Sequence, residues 1–216
     1  PDTRVFILSR AFFAGQQRAG AAFWSGDIVP RWDDLREQIS GLVNASMAGA
    51  PNVSFDIGGF SPEKRYENKD PAHLAEWREL SLRWFQHGAF VPIFRLHGQF
   101  PYREIWEIAP EGTPHYDSFV HYLKLRYTLL PYIYTLAGDT WHQDGTLLRT
   151  LAMDFPSDPK VRDIADQYLF GPAFLVAPVT AFKATTRPVY LPAGTRWIDF
   201  ETGKRYDGGQ TIQAAA

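Results

Sequence analysis

The sequence predicts an α/β chain in two parts, a parallel-stranded α/β part over residues 1–145 and an antiparallel β part over 146–216. Three observations carry this. Four short apolar runs each end in a polar or charged cluster, as strands buried on both faces of a parallel sheet do. Amphipathic helical stripes lie between some of these runs, which implies right-handed crossovers. After about residue 145 the pattern changes to short strand-like runs punctuated by Gly and Pro.

Taken in order, the first run is Val5–Leu8, ending at Ser9-Arg10, and the second is Ala21–Trp24, ending at Ser25-Gly26-Asp27. The loop Gly15-Gln16-Gln17-Arg18 between them shows no helical pattern. After Pro30, Trp32, Leu35, Ile39, Leu42, Val43 and Met47 form one helical stripe, since a proline is tolerated at a helix start. The third run is Val53–Phe55, ending at Asp56-Ile57-Gly58-Gly59. Asp70-Pro71 then opens a helix whose stripe is Leu74, Trp77, Leu80 and Trp84. The fourth run, Phe90–Phe94, ends at Arg95-Leu96-His97-Gly98. A long aromatic-rich helix is expected over 116–136, interrupted at Pro131. Ser157-Asp158-Pro159 is expected to open a short helix ending at Gly171. Strands follow at Phe174–Val179, Arg187–Pro192 and Trp197–Phe200, with turns at Ala193-Gly194 and Thr202-Gly203. Pro1 leads straight into a strand pattern, so the chain is expected to be a piece of a larger protein.

Composition narrows the function. Twenty-two Lys and Arg against 24 Asp and Glu leave a net charge of -2, which gives no electrostatic case for nucleic acid or an anionic membrane. No apolar run is long enough to span a bilayer. With no cysteine there is neither a disulfide scaffold nor a thiolate metal site. Seven Trp, ten Tyr and 16 Phe supply a core, and also rings on which sugars stack.

In a parallel α/β barrel, chemistry sits at the C-terminal ends of the strands. Here those ends carry Arg10, Asp27, Asp56, Arg95 and His97. One Asp after a strand is ordinarily a cap or turn residue, and one His there is ordinarily structural. Four polar clusters in succession, each directly after an apolar run, point to a site. No G-x-S-x-G, G-x-x-x-x-G-K-[ST] or G-x-G-x-x-G motif occurs. His87, His97 and His115 show no metal-ligand spacing. What remains is carboxylate acid/base work beside aromatic rings, the usual chemistry of glycoside hydrolysis. On these residues alone, a lectin-like binding module and a metal-dependent barrel hydrolase stay open.

The specific motifs go further. In order, the chain carries Ser9-Arg10 with Gly15-Gln16-Gln17-Arg18, Phe23-Trp24-Ser25-Gly26-Asp27, Asp56-Ile57-Gly58-Gly59-Phe60, and Arg83-Trp84-Phe85-Gln86. Arg95-Leu96-His97, Arg126-Tyr127 with Leu130–Tyr134, and Gly171–Val179 follow. Together they span nearly the whole chain, and in this order they resemble glycoside hydrolase family 31, the α-glucosidases and α-xylosidases. The resemblance implies the later strands of a TIM (β/α)8 barrel followed by the start of an antiparallel β-sandwich. It implies that Asp27 is the general acid/base, and that Arg10, Trp24, Phe60 and His97 line the subsite for the non-reducing sugar, with Asp56 beside it. It also implies an oligosaccharide substrate, hydrolysis with retention, and no metal or other cofactor. Asp27 must then donate a proton to the leaving oxygen and later activate water, so negative charge is expected close to it.

One departure stands out. The family's nucleophile lies in a W-x-D-x-N-E run upstream of the Arg10 strand, and no such run occurs in these 216 residues. Trp32-Asp33-Asp34 is a partial match at a helix start. Retaining chemistry needs both carboxylates, so the 216 residues alone are expected to be inactive. The loop His97–Trp106 looks like that of α-xylosidases acting on xyloglucan side chains, with Ile105 where α-glucosidases tend to carry Pro. It favours xylose over glucose.

Overall fold

The structure is a computed structural model that describes residues 5–68 and 70–216. Residues 1–4, the lead into the first expected strand, lie outside those described. Strands β1 (Ile7–Ser9), β2 (Ala21–Trp24) and β3 (Val53–Ser54) form a parallel sheet in that order. Ile7 lies opposite Ala21, and Trp24 opposite Ser54. The β1–β2 crossover contains only a 3-10 turn, Gln16–Ala19, between two positive-φ glycines, Gly15 and Gly20.

The fourth expected strand is not one. A single parallel bridge, Ile57 to Leu96, continues the sheet direction, while residues 89–93 bend. Pro92 has no N–H to give a ladder. The carbonyls are taken by side chains instead: Arg126 donates to Ala89 O, Val91 O and Pro92 O, and Ser54 Oγ to Ile93 O. Backbone groups buried this way must be paired somehow, and a guanidinium replaces a neighbouring strand.

Helix α1 (Trp32–Met47) buries Leu35, Ile39, Leu42 and Val43, and places Asp33 and Asp34 in its first turn, where the helix dipole favours them. Its last stripe residue, Met47, faces solvent. Helix α2 (Pro71–Gly88) starts as expected: the Asp70 side chain accepts from Ala72 N at 2.9 Å and Pro71 follows it. Trp77, Leu80, Trp84 and Phe85 form its buried face. After the short α3 (Ile105–Ile108), the long aromatic helix is divided into α4 (Pro114–Thr128) and α5 (Leu130–Gln143). The break precedes Pro131, which cannot donate to the Tyr127 carbonyl.

The expected helix from Pro159 to Gly171 is also corrected. Asp158 accepts from Lys160 N and caps only one 3-10 turn, Pro159–Val161. Its other oxygen accepts from Tyr190 Oη at 2.7 Å and Ala193 N at 2.9 Å, which fastens the segment to a later strand. The wholly buried Tyr168-Leu169-Phe170 then runs as a strand, since its three large side chains need cover on both faces. This is β5, the centre of an antiparallel sheet between β4 (Leu148–Arg149) and β6 (Phe174–Val176). Strand β7 (Thr186–Leu191) pairs antiparallel with β10 (Gln210–Ala215), and β8 (Arg196–Ile198) with β9 (Arg205–Asp207).

One core joins both parts. Phe55 meets Trp84 edge-on at 5.2 Å and Phe85 meets Phe119 at 5.0 Å. Leu148, Tyr168 and Phe170 pack into the same cluster as residues of α1, α2 and β3. This apolar base lies beneath the loops that follow the parallel strands.

Candidate active site

The loops after β2 and β3 turn on positive-φ glycines, Gly26, Gly58 and Gly59. After β2 the chain turns at Gly26, whose φ is 89°, and Ile28 N donates back to Gly26 O. That turn presents Asp27 to solvent. After β3, Gly58 and Gly59 both have positive φ, and Gly59 N donates to Asp56 O at 2.8 Å. The loops interlock: Phe60 N and Ser61 N both donate to Ile28 O, and Gln99 N donates to Phe60 O. Gly59 is required here, because a Cβ would sit 2.7 Å from the Pro30 ring.

The six residues expected at the site fall into linked groups. Arg10 Nη2 donates to Asp27 Oδ1 at 2.8 Å, and the same guanidinium lies 5.4 Å from the Trp24 ring. A second guanidinium, Arg95, lies 5.8 Å from that ring and pairs with the buried Asp56. The Phe60 and His97 rings are 5.4 Å apart. The charge nearest Asp27 is therefore a cation, Arg10, where the sequence reading expects negative charge; Asp56 is near enough for the two carboxylates to repel.

Asp56 is the buried carboxylate of the site. Burial pushes it above its usual 3.8, while Arg95, His97 and Arg103 pull it down and Asp27 pushes it further up. Its Oδ2 has no hydrogen-bond partner, and neither has Trp24 Nε1 or Ser25 Oγ. Two arginines complete the geometry: Arg95, read in the sequence only as a strand-end charge, and Arg103, which is not singled out there. Arg95 neutralises Asp56. Arg103 is buried and joins the loop after β3 to the loop after Leu96, donating to Gly59 O, Gln99 O and Pro101 O. Their signal in the sequence was faint: one more charge at a strand end, and glycines at 58 and 98 that leave room for a large neighbour.

Trp32-Asp33-Asp34 lies in the first turn of α1, with Asp33 paired to Arg36. Among the described residues, no three His, Cys, Asp or Glu side chains are placed to hold a metal. Among the described residues, no helix is long and apolar enough to cross a membrane. The arrangement thus brings together an accessible carboxylate, Asp27, beside Arg10, a buried one, Asp56, beside Arg95, and the Phe60–His97 ring pair.

Comparison with known proteins agrees with this chemistry. Residues 1–136 match the glycosyl hydrolases family 31 TIM-barrel domain, and residues 144–216 the glycosyl hydrolase family 31 C-terminal domain. The chain is 41% identical over 214 residues to an alpha-xylosidase of Saccharolobus solfataricus, covering 98% of this chain and 28% of that protein. It is 37% identical to human neutral alpha-glucosidase AB, covering 97% of this chain and 21% of the relative. The crystal structure of a family 31 alpha-xylosidase from Xanthomonas citri superposes with a TM-score of 0.98 at 70% identity, covering all of this chain and 24% of that one. The chain therefore spans about a quarter of the length of such relatives. Its fold is a portion of a TIM barrel followed by a C-terminal β domain, and the chain belongs to glycoside hydrolase family 31.

Proposed function

We propose that the whole protein carrying this chain hydrolyses terminal, non-reducing α-linked xylose from xyloglucan-type oligosaccharides, with retention at the anomeric carbon. The observation that carries the reading is Asp27: an exposed carboxylate at the end of β2, 2.8 Å from Arg10, whose guanidinium lies 5.4 Å from the Trp24 ring. Asp27 protonates the leaving oxygen and later takes a proton from water. Arg10 and His97 donate to ring hydroxyls, Trp24 and Phe60 form walls, and Asp56 holds the floor through Arg95. The second carboxylate of a retaining pair would come from a W-x-D-x-N-E run, which these 216 residues do not contain. We place the division between the barrel portion and the β domain at residues 145 and 146.

Xylose is favoured over glucose by the His97–Trp106 loop, and by the alpha-xylosidases among its relatives, one at 41% and one at 70% identity. The alternative, an α-glucosidase, is supported by the neutral alpha-glucosidases at 37%. The two sugars differ by one hydroxymethyl group, which a pocket wall admits or excludes.

The test is to assay the whole protein on aryl α-xyloside and aryl α-glucoside, following the product anomer by NMR. A higher kcat/KM on the xyloside, with an α-anomer first product, is expected. A preference for the glucoside selects the alternative. No turnover of either, with binding retained, selects a non-catalytic carbohydrate-binding role. Residues 1–216 expressed alone are expected to give no sustained hydrolysis.

A further inference from the structure

Arg103 has no place in the chemistry above, yet its two terminal nitrogens make three hydrogen bonds to backbone carbonyls, while its buried Nε has no partner. Its side chain is buried, and its guanidinium donates to Gly59 O at 2.7 Å, to Gln99 O at 2.9 Å and to Pro101 O. It also stacks on the Trp77 ring of α2 at 4.9 Å. Burial lowers its pKa to about 10, so it remains a cation at neutral pH, and the buried Asp56 favours that charge.

The packing around it leaves no slack. A Cβ on Gly58 would come within 2.9 Å of Arg103 Cδ and Nε. A Cβ on Gly98 would come within 2.6 Å of both Arg103 Nη2 and Gly59 O. The guanidinium is thus the filler between two loops that otherwise meet at few points. Those points lie beside the pocket walls. Gly59 precedes Phe60, whose carbonyl accepts from Gln99 N at 2.7 Å, and Gly98 follows His97. Phe60 and His97 face each other at 5.4 Å, each one residue from an Arg103 contact.

We propose that Arg103 is a positioning residue that sets the separation of the Phe60 and His97 walls, and through them how closely the sugar ring fits. The proposal rests on the glycosidase reading of this site. A planar fork satisfies three carbonyls in different directions, which the single ammonium of lysine cannot do. Loosening the walls weakens hold on the ring without touching Asp27, so it acts on substrate fit rather than on proton transfer.

The test uses the whole protein with Arg103→Lys and Arg103→Met, assayed on aryl α-xyloside and aryl α-glucoside across pH. The expected result is a KM raised by on the order of tenfold, with kcat changed by less than about threefold and the pH profile unmoved. The ratio of kcat/KM between the two sugars should fall towards one, because a looser wall discriminates less. The lysine variant keeps the buried charge and serves as the measurement if the methionine variant does not fold. An unchanged KM and sugar ratio in a folded variant with a lowered Tm overturns the proposal, since Arg103 would then be structural only. A wild-type protein that turns over neither sugar overturns the glycosidase reading itself, which the wild-type assay alone reveals.

Discussion

Two Asp–Arg pairs approach the same indole, and they differ in almost everything except chemistry. Arg10 and Arg95 lie 5.4 and 5.8 Å from the Trp24 ring. The Arg10–Asp27 side chains are 62% and 39% exposed, whereas those of Arg95–Asp56 are 28% and 0%. An exposed ion pair is worth about 0–1 kcal/mol, so it opens and closes readily. Breaking a buried pair by deleting one partner costs about 3–5 kcal/mol, because the other charge is left desolvated. The first pair therefore leaves Asp27 accessible to solvent, as the proton transfers proposed for it require. The second holds the buried Asp56 against Arg95. One strand end is built to change and its neighbour to stay.

Breaking the exposed half should give the largest effect, and it should be kinetic. In the whole protein Asp27→Asn is expected to lower kcat/KM by about 10²–10⁴-fold on substrates with a poor leaving group. Aryl glycosides with a very acidic leaving group should lose far less in the first step, since their departing oxygen needs no proton. Folding stability should stay within about 1 kcal/mol of wild type, as for other exposed pairs. Urea denaturation beside the two assays checks this; a large stability loss with kcat unchanged would reverse the assignment of the two halves. Breaking the buried half should do the opposite. Asp56→Ala is expected to lose about 3–5 kcal/mol of stability by leaving Arg95 unpaired, and Asp56→Leu with Arg95→Met to recover part of it. If the double variant is no better than the single one, the pair is not the source of the cost.

The contrast between the pairs also marks what could be read from the sequence. Arg10, Asp27, Asp56 and His97 stood out in the sequence because they follow apolar runs, and a strand end is a local signal; Trp24 and Phe60 entered only through the family resemblance. The stripes of α1 and α2 were legible for the same reason, as was the break before Pro131. The pairing of Asp56 was not, because Arg95 lies 39 residues away and only the folded sheet brings them together. Arg103 reaches Gly59 across 44 residues. The two misread segments fail for related reasons. Phe90–Phe94 has the composition of a strand, but its carbonyls are claimed by Arg126 from α4. The Pro159–Gly171 segment has a helix start, but Asp158 is committed to Tyr190 and Ala193. In each case a distant polar side chain overrides a local propensity. Strands β9 and β10 alternate too weakly between polar and apolar residues to announce themselves.

A third buried titratable group separates burial from pairing. His87 of α2 is 2% exposed, neither ring nitrogen has a hydrogen-bond partner, and it packs against Phe55 at 4.9 Å and Tyr168 at 5.8 Å. Burial alone lowers its pKa from 6.5 to about 3. The unfolded chain takes up a proton near 6.5 and the folded chain does not until about 3, so stability is full above 6.5 and is lost as pH falls between these values. From pH 7 to pH 5 the loss is about 2 kcal/mol, at 1.36 kcal/mol per unit. Asp56 cannot produce that loss. Its carboxyl is pushed upward by burial, so its contribution is greatest below the usual 3.8 and fades as pH rises through its folded value. The paired and the unpaired group therefore pull in opposite directions on the acid limb. His87→Phe keeps an aromatic ring beside Phe55 and Tyr168 and removes the titration. Urea denaturation of wild type and variant at pH 7 and pH 5 should show the wild-type drop shrinking by about 2 kcal/mol in the variant. An equal drop in both would place the acid sensitivity in a group other than His87, and not in Asp56, whose shift has the opposite sign.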